Sequence, residues 1–397
     1  MNYPLISEYV SAIRSAEDNL KRYSHLRPVL GADGMPVMNS GNFAVVFKMQ
    51  NPTSGKLYAM KCFTKHQENR DEGYKLIVDE LEDVHSDYII PIQYLEKELF
   101  VDSATADETE FPVLLMDWVD GITLDRYVRA HARVNDSYSL KTLAYLFSKL
   151  AAWLLQQPFA HGDLKPDNIM VRNDGSLALV DYDGMFVPAM RGQLARELGS
   201  PDFRHPNRTE KDFDEHIDDF SVMSILLSLQ AIALNPQWLY QYGAEDRLLL
   251  SKGDYMDIGG SYVLRDILSH GDVDVQKTLG LFLYVNAETR LPNSIEKSVV
   301  LLKPQNIGVT HKEKLVGLQI LDAEDVSELG MLNYYGVDDC GEPIESYRLN
   351  TGEGNITFIL PARDENGRII PAAVGQIMEW VLVEENDNRW IRNQLYD

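Results

Sequence analysis

The stretch that decides the fold reads HGDLKPDN over residues 161–168, and DYDG follows at residues 181–184. A lone His-x-Asp triplet is common in surface turns. Here, however, eight residues are followed by Asp181, which lies 13 residues after Asn168. The β-like residues between the two stretches predict a small hairpin. We therefore interpret the pattern as one polar site built around a turn and a hairpin.

Together the two stretches resemble the catalytic core of eukaryotic-like protein kinases. Phosphoryl transfer needs little covalent chemistry, so such a site positions ATP, neutralises its charge with divalent ions and orients the acceptor hydroxyl. The resemblance implies that Asp163 accepts or orients the hydroxyl proton and that Lys165 lies near the transferred group. It also implies that Asn168 and Asp181 hold Mg²⁺. We expect ATP and Mg²⁺ as cofactors, with Mn²⁺ as an alternative because Asp183 replaces a glycine of the family pattern.

The strand sequence YAMK, at residues 58–61, resembles the family's strand that carries the lysine in contact with the α and β phosphates. That lysine, Lys61, requires a carboxylate from the following helix, and we favour Glu72 over Glu68 and Glu80. Alternatively, all three are solvated charges on the helix surface. The expected nucleotide-binding residues are Asn39, Ser40, Gly41, Asn42, Phe43, Ala44, Val46, Ala59, Lys61, Met116, Asp117, Trp118 and Val119.

The phosphate loop departs from the family pattern GxGxxGxV because only the middle glycine, Gly41, is present. Asn39 stands at the first glycine position, and Asn tolerates left-handed backbone better than most residues. Ala44 adds only a methyl group at the third. We expect the hairpin to survive with weaker or slower ATP handling. Residues 116–119 fall where the family has its gatekeeper and hinge.

The sequence GSPDFRHP at residues 199–206 resembles the end of a protein kinase activation segment, which supports a peptide acceptor. Asn207 replaces the glutamate that follows in the family, although its arginine partner is matched by Arg290. Residues 185–199 contain no Ser, Thr or Tyr, and Gly162 replaces the arginine before the catalytic aspartate. The segment therefore has neither a residue to phosphorylate nor the arginine that would bind the phosphate, and we expect constitutive or partner-driven activity.

Charge and cysteine content narrow the functional class. The chain has 37 Lys and Arg against 61 Asp and Glu, a net charge of −24, which repels nucleic acid and anionic lipid. Cys62 and Cys340 lie far apart and lack metal-ligand spacing, which favours a reducing cytoplasm. The longest apolar runs fall short of the roughly 18 residues that a membrane span needs, and the N-terminus has no signal-peptide pattern. We expect neither a nucleic acid nor a membrane partner.

Hydrophobic periodicity predicts a small sheet with one helix, followed by a mainly helical region that carries a hairpin. The resemblance implies that these form an α+β, bilobal protein-kinase-like fold. We divide the chain into a helical extension (1–30), an N-lobe with an antiparallel sheet and one helix (31–118), a helical C-lobe (119–303) and an acidic, β-rich module (304–397). The elements expected include helices at 6–23, 68–84, 140–156 and 217–234, and strands at 88–94, 113–118, 347–349, 355–360 and 380–384.

The motifs SGNFA (40–44) and VDYDGMFVP (180–188) are similar to a bacterial kinase-like family, often encoded beside von Willebrand-type and PP2C-type phosphatase proteins. This resemblance implies a signalling Ser/Thr protein kinase with a protein substrate and those two proteins as partners. Two alternatives remain open. The depleted glycine loop and Asp183 are compatible with a nucleotide-binding pseudokinase scaffold. The HGD form is usual in small-molecule phosphotransferases, although GSPDFRHP argues against that class.

Overall fold

A computed structural model describes residues 2–41, 43–292 and 299, together with the C-terminal strands given below. The chain divides into two units, Met1–Leu302 and Lys303–Asp397. The strands of the two units form separate sheets.

The N-lobe of the first unit is built on an antiparallel sheet. Its strands are β1 (Arg27–Pro28), β2 (Met38–Ser40), β3 (Ala44–Gln50), β4 (Leu57–Phe63), β5 (Ile92–Phe100) and β6 (Glu110–Asp117). The strand order is β1-β3-β4-β6-β5, and β2 pairs with β3. The turn between β3 and β4 is fixed by Asn51, whose side-chain oxygen accepts a hydrogen bond from the Thr53 amide at 2.9 Å. Gly55 completes the turn at a φ of 75°, which glycine adopts without strain.

The helices of the first unit are α1 (Ile6–Arg14), α2 (Ala16–Asn19), α3 (Arg70–Glu82), α4 (Leu124–Arg133), α5 (Ser137–Leu154), α6 (Asp219–Leu234), α7 (Gln237–Tyr242), α8 (Lys252–Met256), α9 (Tyr262–His270) and α10 (Val273–Glu288). The expected N-terminal helix is thus interrupted at Ser15. The central helix α6 is buried on almost every side. Apolar residues around its whole circumference are typical of such a helix.

The two faces of the N-lobe sheet have different roles. Tyr9 and Ile13 of α1 pack against Met60 and Cys62, which lie on one face of β4. The Tyr9 hydroxyl also donates a hydrogen bond to the Phe63 carbonyl oxygen at 2.6 Å. Because side chains alternate along a strand, Lys61 points to the opposite face. Helix α1 therefore covers one face of the sheet, called the outer face, and Lys61 lies on the other, inner face.

The strand expected at residues 88–94 lies further along the chain, because β5 runs from Ile92 to Phe100. Residues just before β5 bond to the C-lobe instead of joining the N-lobe sheet. The Leu179 amide donates to the Tyr88 carbonyl oxygen at 2.8 Å, and Ile89 forms a parallel bridge with Leu179. This long-range pairing gives the segment its extended form, which local sequence cannot distinguish from a strand of the sheet.

The C-lobe hairpin belongs to a three-stranded sheet of order β7-β8-β9. Its strands are β7 (Gly121–Thr123), β8 (Ile169–Arg172) and β9 (Leu177–Leu179). The sequence indicated β8 and β9 but not β7, which has only three residues. The observed architecture, an antiparallel N-lobe sheet with a helical C-lobe, confirms the expected α+β bilobal class.

The second unit has a five-stranded antiparallel sheet of order β12-β11-β10-β13-β14. Its strands are β10 (His311–Val326), β11 (Met331–Val337), β12 (Pro343–Ile344), β13 (Ile377–Glu385) and β14 (Asn388–Asn393). The strand expected at 380–384 falls within β13. Those expected at 347–349 and 355–360 lie outside the described residues.

Candidate active site

The carboxylate of Asp163 is held from three directions. The Lys165 ammonium nitrogen lies 3.0 Å from Oδ2, and the Ser200 amide donates to Oδ1 at 2.7 Å. The Asn168 amide group donates to the Asp163 carbonyl oxygen at 2.9 Å and lies 3.3 Å from Oδ2. Burial opposes ionisation of Asp163, but the Lys165 charge and the Ser200 hydrogen bond lower its pKa overall. The structure thus brings together three of the four predicted residues on the loop of residues 161–168, called the catalytic loop below, and the Asp163 carboxylate is partly buried.

The catalytic loop is held by the buried carboxylate of Asp218, the residue immediately before helix α6. Its two carboxylate oxygens accept hydrogen bonds from the His161 and Gly162 amides, the latter at 3.0 Å. The His161 ring nitrogen Nε2 lies 3.0 Å from the Val180 carbonyl oxygen, just before Asp181. The loop is therefore tied both to the central helix and to the hairpin that carries Asp181.

Gly162 is in a conformation that excludes other residues. Its φ is 82°, and a Cβ built on it would lie 1.9 Å from the Gly184 carbonyl oxygen. Gly199, at a φ of 76°, approaches the same place, because its Cβ would lie 2.8 Å from the Gly162 carbonyl oxygen. The position that holds arginine in the resembled family therefore has no room for a side chain here.

Lys61 is paired with two carboxylates from the segment after β9. Its ammonium nitrogen lies 2.6 Å from Oδ1 of Asp181 and 2.7 Å from Oδ1 of Asp183, and only 9% of its side chain is exposed. Burial opposes the charge, but the two carboxylates raise the pKa of Lys61 overall. The predicted pair between Lys61 and Glu72 is not formed in this structure, because Glu72 is exposed. The α3 residue that reaches the cluster is Tyr74, whose hydroxyl donates to Asp183.

The sequence did not indicate that Asp183 contacts Lys61 and Tyr74, but the inward position of Tyr74 follows from the spacing of apolar residues along α3. The buried residues of α3 are Arg70, Gly73, Tyr74, Ile77 and Leu81. Their three- and four-residue spacing defines the inward face of the helix, and position 72 is off that face.

The phosphate-loop residues lie between β2 and β3. Asn39 pairs with Val46 and Ser40 with Val45, and the β2 residues are exposed. The Gly41 amide donates to the Ala44 carbonyl oxygen at 2.9 Å. Among the described residues, a Cβ at Gly41 would meet only that oxygen, at 3.9 Å, so their packing does not require glycine there. Phe43 follows, 47% exposed, and the predicted binding residue Asn42 lies outside the described residues.

The remaining predicted nucleotide contacts line the inner face of the sheet and its connection to the C-lobe. Val46 is paired directly with Lys61, and Ala59 with Met116. Directly paired residues share a face, and so do residues two apart on one strand. All four therefore lie on the inner face. At the connection, Asp117 pairs with Lys56 at 2.8 Å, the Trp118 amide donates to the Leu57 carbonyl oxygen at 3.1 Å, and Val119 is half-buried.

The side chains of Asn168 and Asp181 supply oxygen donors, which Mg²⁺ prefers. Burial opposes ionisation of Asp181, but the Lys61 ammonium lowers its pKa, so it is a carboxylate at neutral pH. Within the part of the chain that the structure describes, no three His, Cys, Asp or Glu side chains are grouped as a metal cage. Mg²⁺ is usually bound by one or two carboxylates together with water and substrate phosphates. The donor set therefore fits a magnesium ion that arrives with a nucleotide.

The family model of the protein kinase domain matches residues 35–238, which is just over half of the chain. The chain belongs to the protein kinase domain family. This match confirms the resemblance to the protein kinase superfamily that was predicted from the motif at residues 161–168. Among the described helices of the chain, none combines the length and the apolar character required to cross a bilayer.

The kinase domain is similar to several curated protein kinases. It is 26% identical over 196 residues to a rhodopsin kinase of Rattus norvegicus, covering 47% of this chain and 33% of that protein. It is 23% identical over 214 residues to the cAMP-dependent protein kinase catalytic subunit of Dictyostelium discoideum, covering 54% and 30%. It is 23% identical over 277 residues to the serine/threonine-protein kinase cds1 of Schizosaccharomyces pombe, covering 65% and 55%. The chain thus spans about a third of the first two relatives and about half of the third.

Proposed function

We propose that this kinase domain is an active Ser/Thr protein kinase that uses ATP and Mg²⁺ and transfers the γ-phosphoryl group to a protein hydroxyl. The observation that carries the proposal is the set of contacts on Asp163. Its carboxylate is ionised, only 13% exposed and fixed by Lys165, Asn168 and the Ser200 amide. A positioned carboxylate of this kind suits the orientation of an acceptor hydroxyl and the uptake of its proton.

Each remaining side chain has a role in this reaction. Lys165 would stabilise the phosphoryl group in transfer, and Lys61 would bind the inner phosphates. Asn168 and Asp181 would hold Mg²⁺, which neutralises phosphate charge when it is bound. Gly41 is exposed and is not crowded by the described residues around it, so its backbone would be available to the phosphates.

A protein acceptor is favoured over a small molecule by the segment at residues 199–206. Ser221 of α6 donates a hydrogen bond to the Phe203 carbonyl oxygen, and Tyr255 of α8 donates to the Asp202 carbonyl oxygen, both at 2.5 Å. The segment also begins with the Ser200 contact to Asp163. A backbone segment that is held by hydrogen bonds beside the Asp163 carboxylate is suited to binding an extended peptide.

The test is transfer from γ-labelled ATP to the protein itself and to a generic basic substrate, with Mg²⁺ and then with Mn²⁺. We expect label on serine or threonine, and we expect Asp163→Asn and Asp181→Ala to reduce it by about 10²- to 10⁴-fold. Asp79→Asn, on the exposed face of α3, is the matched carboxylate control. Label that the first two variants leave intact would refute the assigned chemistry.

A nucleotide-binding scaffold is the second candidate. It is favoured by the phosphate loop, where Asn39 and Ala44 replace glycines, and by the extra carboxylate of Asp183 on Lys61. ATP binding without transfer under either metal would establish it in place of the kinase.

The setting is also a proposal. We infer a role in bacterial cytoplasmic signalling with a von Willebrand-type protein and a PP2C-type phosphatase as partners, on the resemblance carried by SGNFA and VDYDGMFVP. A buried free thiol at Cys62 is compatible with a reducing compartment. The direct test is whether the kinase co-purifies with each candidate partner. Removal of the phosphate label when the phosphatase is added would support the phosphatase as a partner.

A further inference from the structure

The two carboxylates on Lys61 differ in exposure. The side chain of Asp181 is 42% exposed, whereas that of Asp183 is 12% exposed. Asp181 is also the residue expected to hold the metal ion, so part of its negative charge would be shared with that cation. Asp183 is the carboxylate that remains dedicated to the lysine.

Helix α3 offers no carboxylate to Lys61 from its inward face. Among the described acidic residues of its first turn, Glu72 is exposed, and Asp71 accepts a hydrogen bond from the Tyr94 hydroxyl on β5. Tyr74 stands on the inward face and donates to Oδ1 of Asp183, the same oxygen that accepts from Lys61. The helix therefore contacts the lysine through a phenol and an intervening carboxylate.

Two side-chain contacts accompany this rotation of the helix. The Arg196 side chain lies across α3 at Gly73, where a Cβ would lie 1.7 Å from one of its terminal nitrogens. The neighbouring Tyr74 ring is stacked on Tyr94 with 5.2 Å between ring centres. Turning α3 to bring Glu72 inward would break both contacts.

We propose that Asp183 is the positioning residue of Lys61, in the place that a helix glutamate was expected to fill, and that Tyr74 links α3 to it. This inference rests on the proposed function, because Lys61 is positioned for nucleotide phosphates. A buried ammonium requires a fixed counter-charge, and the loss of one partner leaves it poorly compensated.

The ion pair can be tested without any catalysis, through the reactivity of the Lys61 amine. The two carboxylates hold the Lys61 ammonium in a buried position, and the loss of one of them leaves the amine less tightly held and easier for a reagent to reach. In the nucleotide-free protein, we expect Asp183→Asn to speed acylation of Lys61 by an amine-directed reagent. We expect Asp183→Glu to retain most of the protection, and Asp79→Asn on the outer face of α3 to have no effect.

The positioning role is tested by ATP affinity and kinetics of the same variants. We expect Asp183→Asn to lower kcat/KM for ATP by about 10- to 100-fold, Tyr74→Phe by less, and Asp183→Glu to recover most of the loss. The variant Glu72→Gln tests the alternative in which Glu72 is the carboxylate that positions Lys61. A larger loss in Glu72→Gln than in Asp183→Asn, or unchanged Lys61 acylation and ATP affinity in Asp183→Asn, overturns the inference.

Failure of the proposed function has a different signature. If the wild-type protein transfers no phosphate, the kinase proposal fails, and Lys61 acylation and the Kd for ATP still decide the role of Asp183. If the wild type is active and Asp183→Asn matches it in all three measurements, only the present inference fails.

Discussion

At the scale of single residues, backbone space limits the site as strongly as charge does. Gly162, Gly184 and Gly199 meet beside Asp163, and the first and third have positive φ values. The sequence indicated that Gly162 departs from the family. It could not show why, because the collision is with backbone 22 residues away in the chain (184 − 162).

Gly162→Ala is expected to destabilise the protein strongly. A non-glycine residue in the left-handed region costs about 1–2 kcal/mol, and the overlap with the Gly184 carbonyl adds to it. Gly175→Ala is the matched control, because its φ is 83° but its Cβ would have no neighbour within 4 Å. Urea unfolding should show the larger loss at position 162; equal losses would contradict this account.

Glu197 gives the folded protein a pH-dependent stability. Burial and then the charges of Asp183 and Asp181 raise its pKa to about 7, while Lys61 opposes the rise and Asp163 adds to it. The carboxyl is neutral in both states below its unfolded pKa of about 4.5. Stability is then lost as pH rises through the folded value.

We therefore expect Glu197→Gln to be more stable than the wild type at pH 8, by about 1–3 kcal/mol, and equal to it at pH 4.5. Gln67 donates to this carboxyl at 3.2 Å, and a Gln side chain can still accept that hydrogen bond. Thermal unfolding of both proteins across this range measures the difference. A constant offset at all pH values would contradict the titration of Glu197.

At the scale of elements, periodicity located most helices and strands but gave less information on their rotation and partners. The inward face of α3 follows from its own spacing, yet the pairing of Lys61 depends on the loop that folds against that face. The segment before β5 is extended because it pairs with Leu179, which is distant in sequence. The catalytic loop was predictable because its residues are adjacent in the chain.

The packing of α1 on the N-lobe sheet predicts that shortening a buried side chain of this helix lowers the stability of the protein, and Cys62 beneath the helix reports on it. Ile13 is fully buried there, so Ile13→Ala is expected to cost about 2–5 kcal/mol. Ser11→Ala, at an exposed position of the same helix, is the control. In a Cys340→Ser background, the buried Cys62 thiol should react faster with a thiol reagent in the Ile13→Ala variant. Equal rates in both variants would show that α1 does not protect this face.

At the scale of the whole molecule, the division into residues 1–302 and 303–397 predicts that the first unit folds alone. It contains its own sheet, its own central helix α6 and every described residue of the candidate site. A fragment ending at Leu302 is expected to be soluble and to unfold in one cooperative transition, measured by circular dichroism and calorimetry. Aggregation of the fragment would instead assign a bracing role to the second unit.

The crowding at Gly162 also limits the evolutionary routes open to this chain. An arginine at position 162 cannot be acquired in one step, because the Gly184 backbone occupies the space of its first side-chain carbon. The loop after β9 would have to change its path before an arginine could be accommodated at position 162. A Ser, Thr or Tyr gained in residues 185–199 would have no arginine at position 162 to bind its phosphate until both changes had occurred. Control by phosphorylation of this segment is therefore separated from the present sequence by several changes, of which the early ones give no benefit alone.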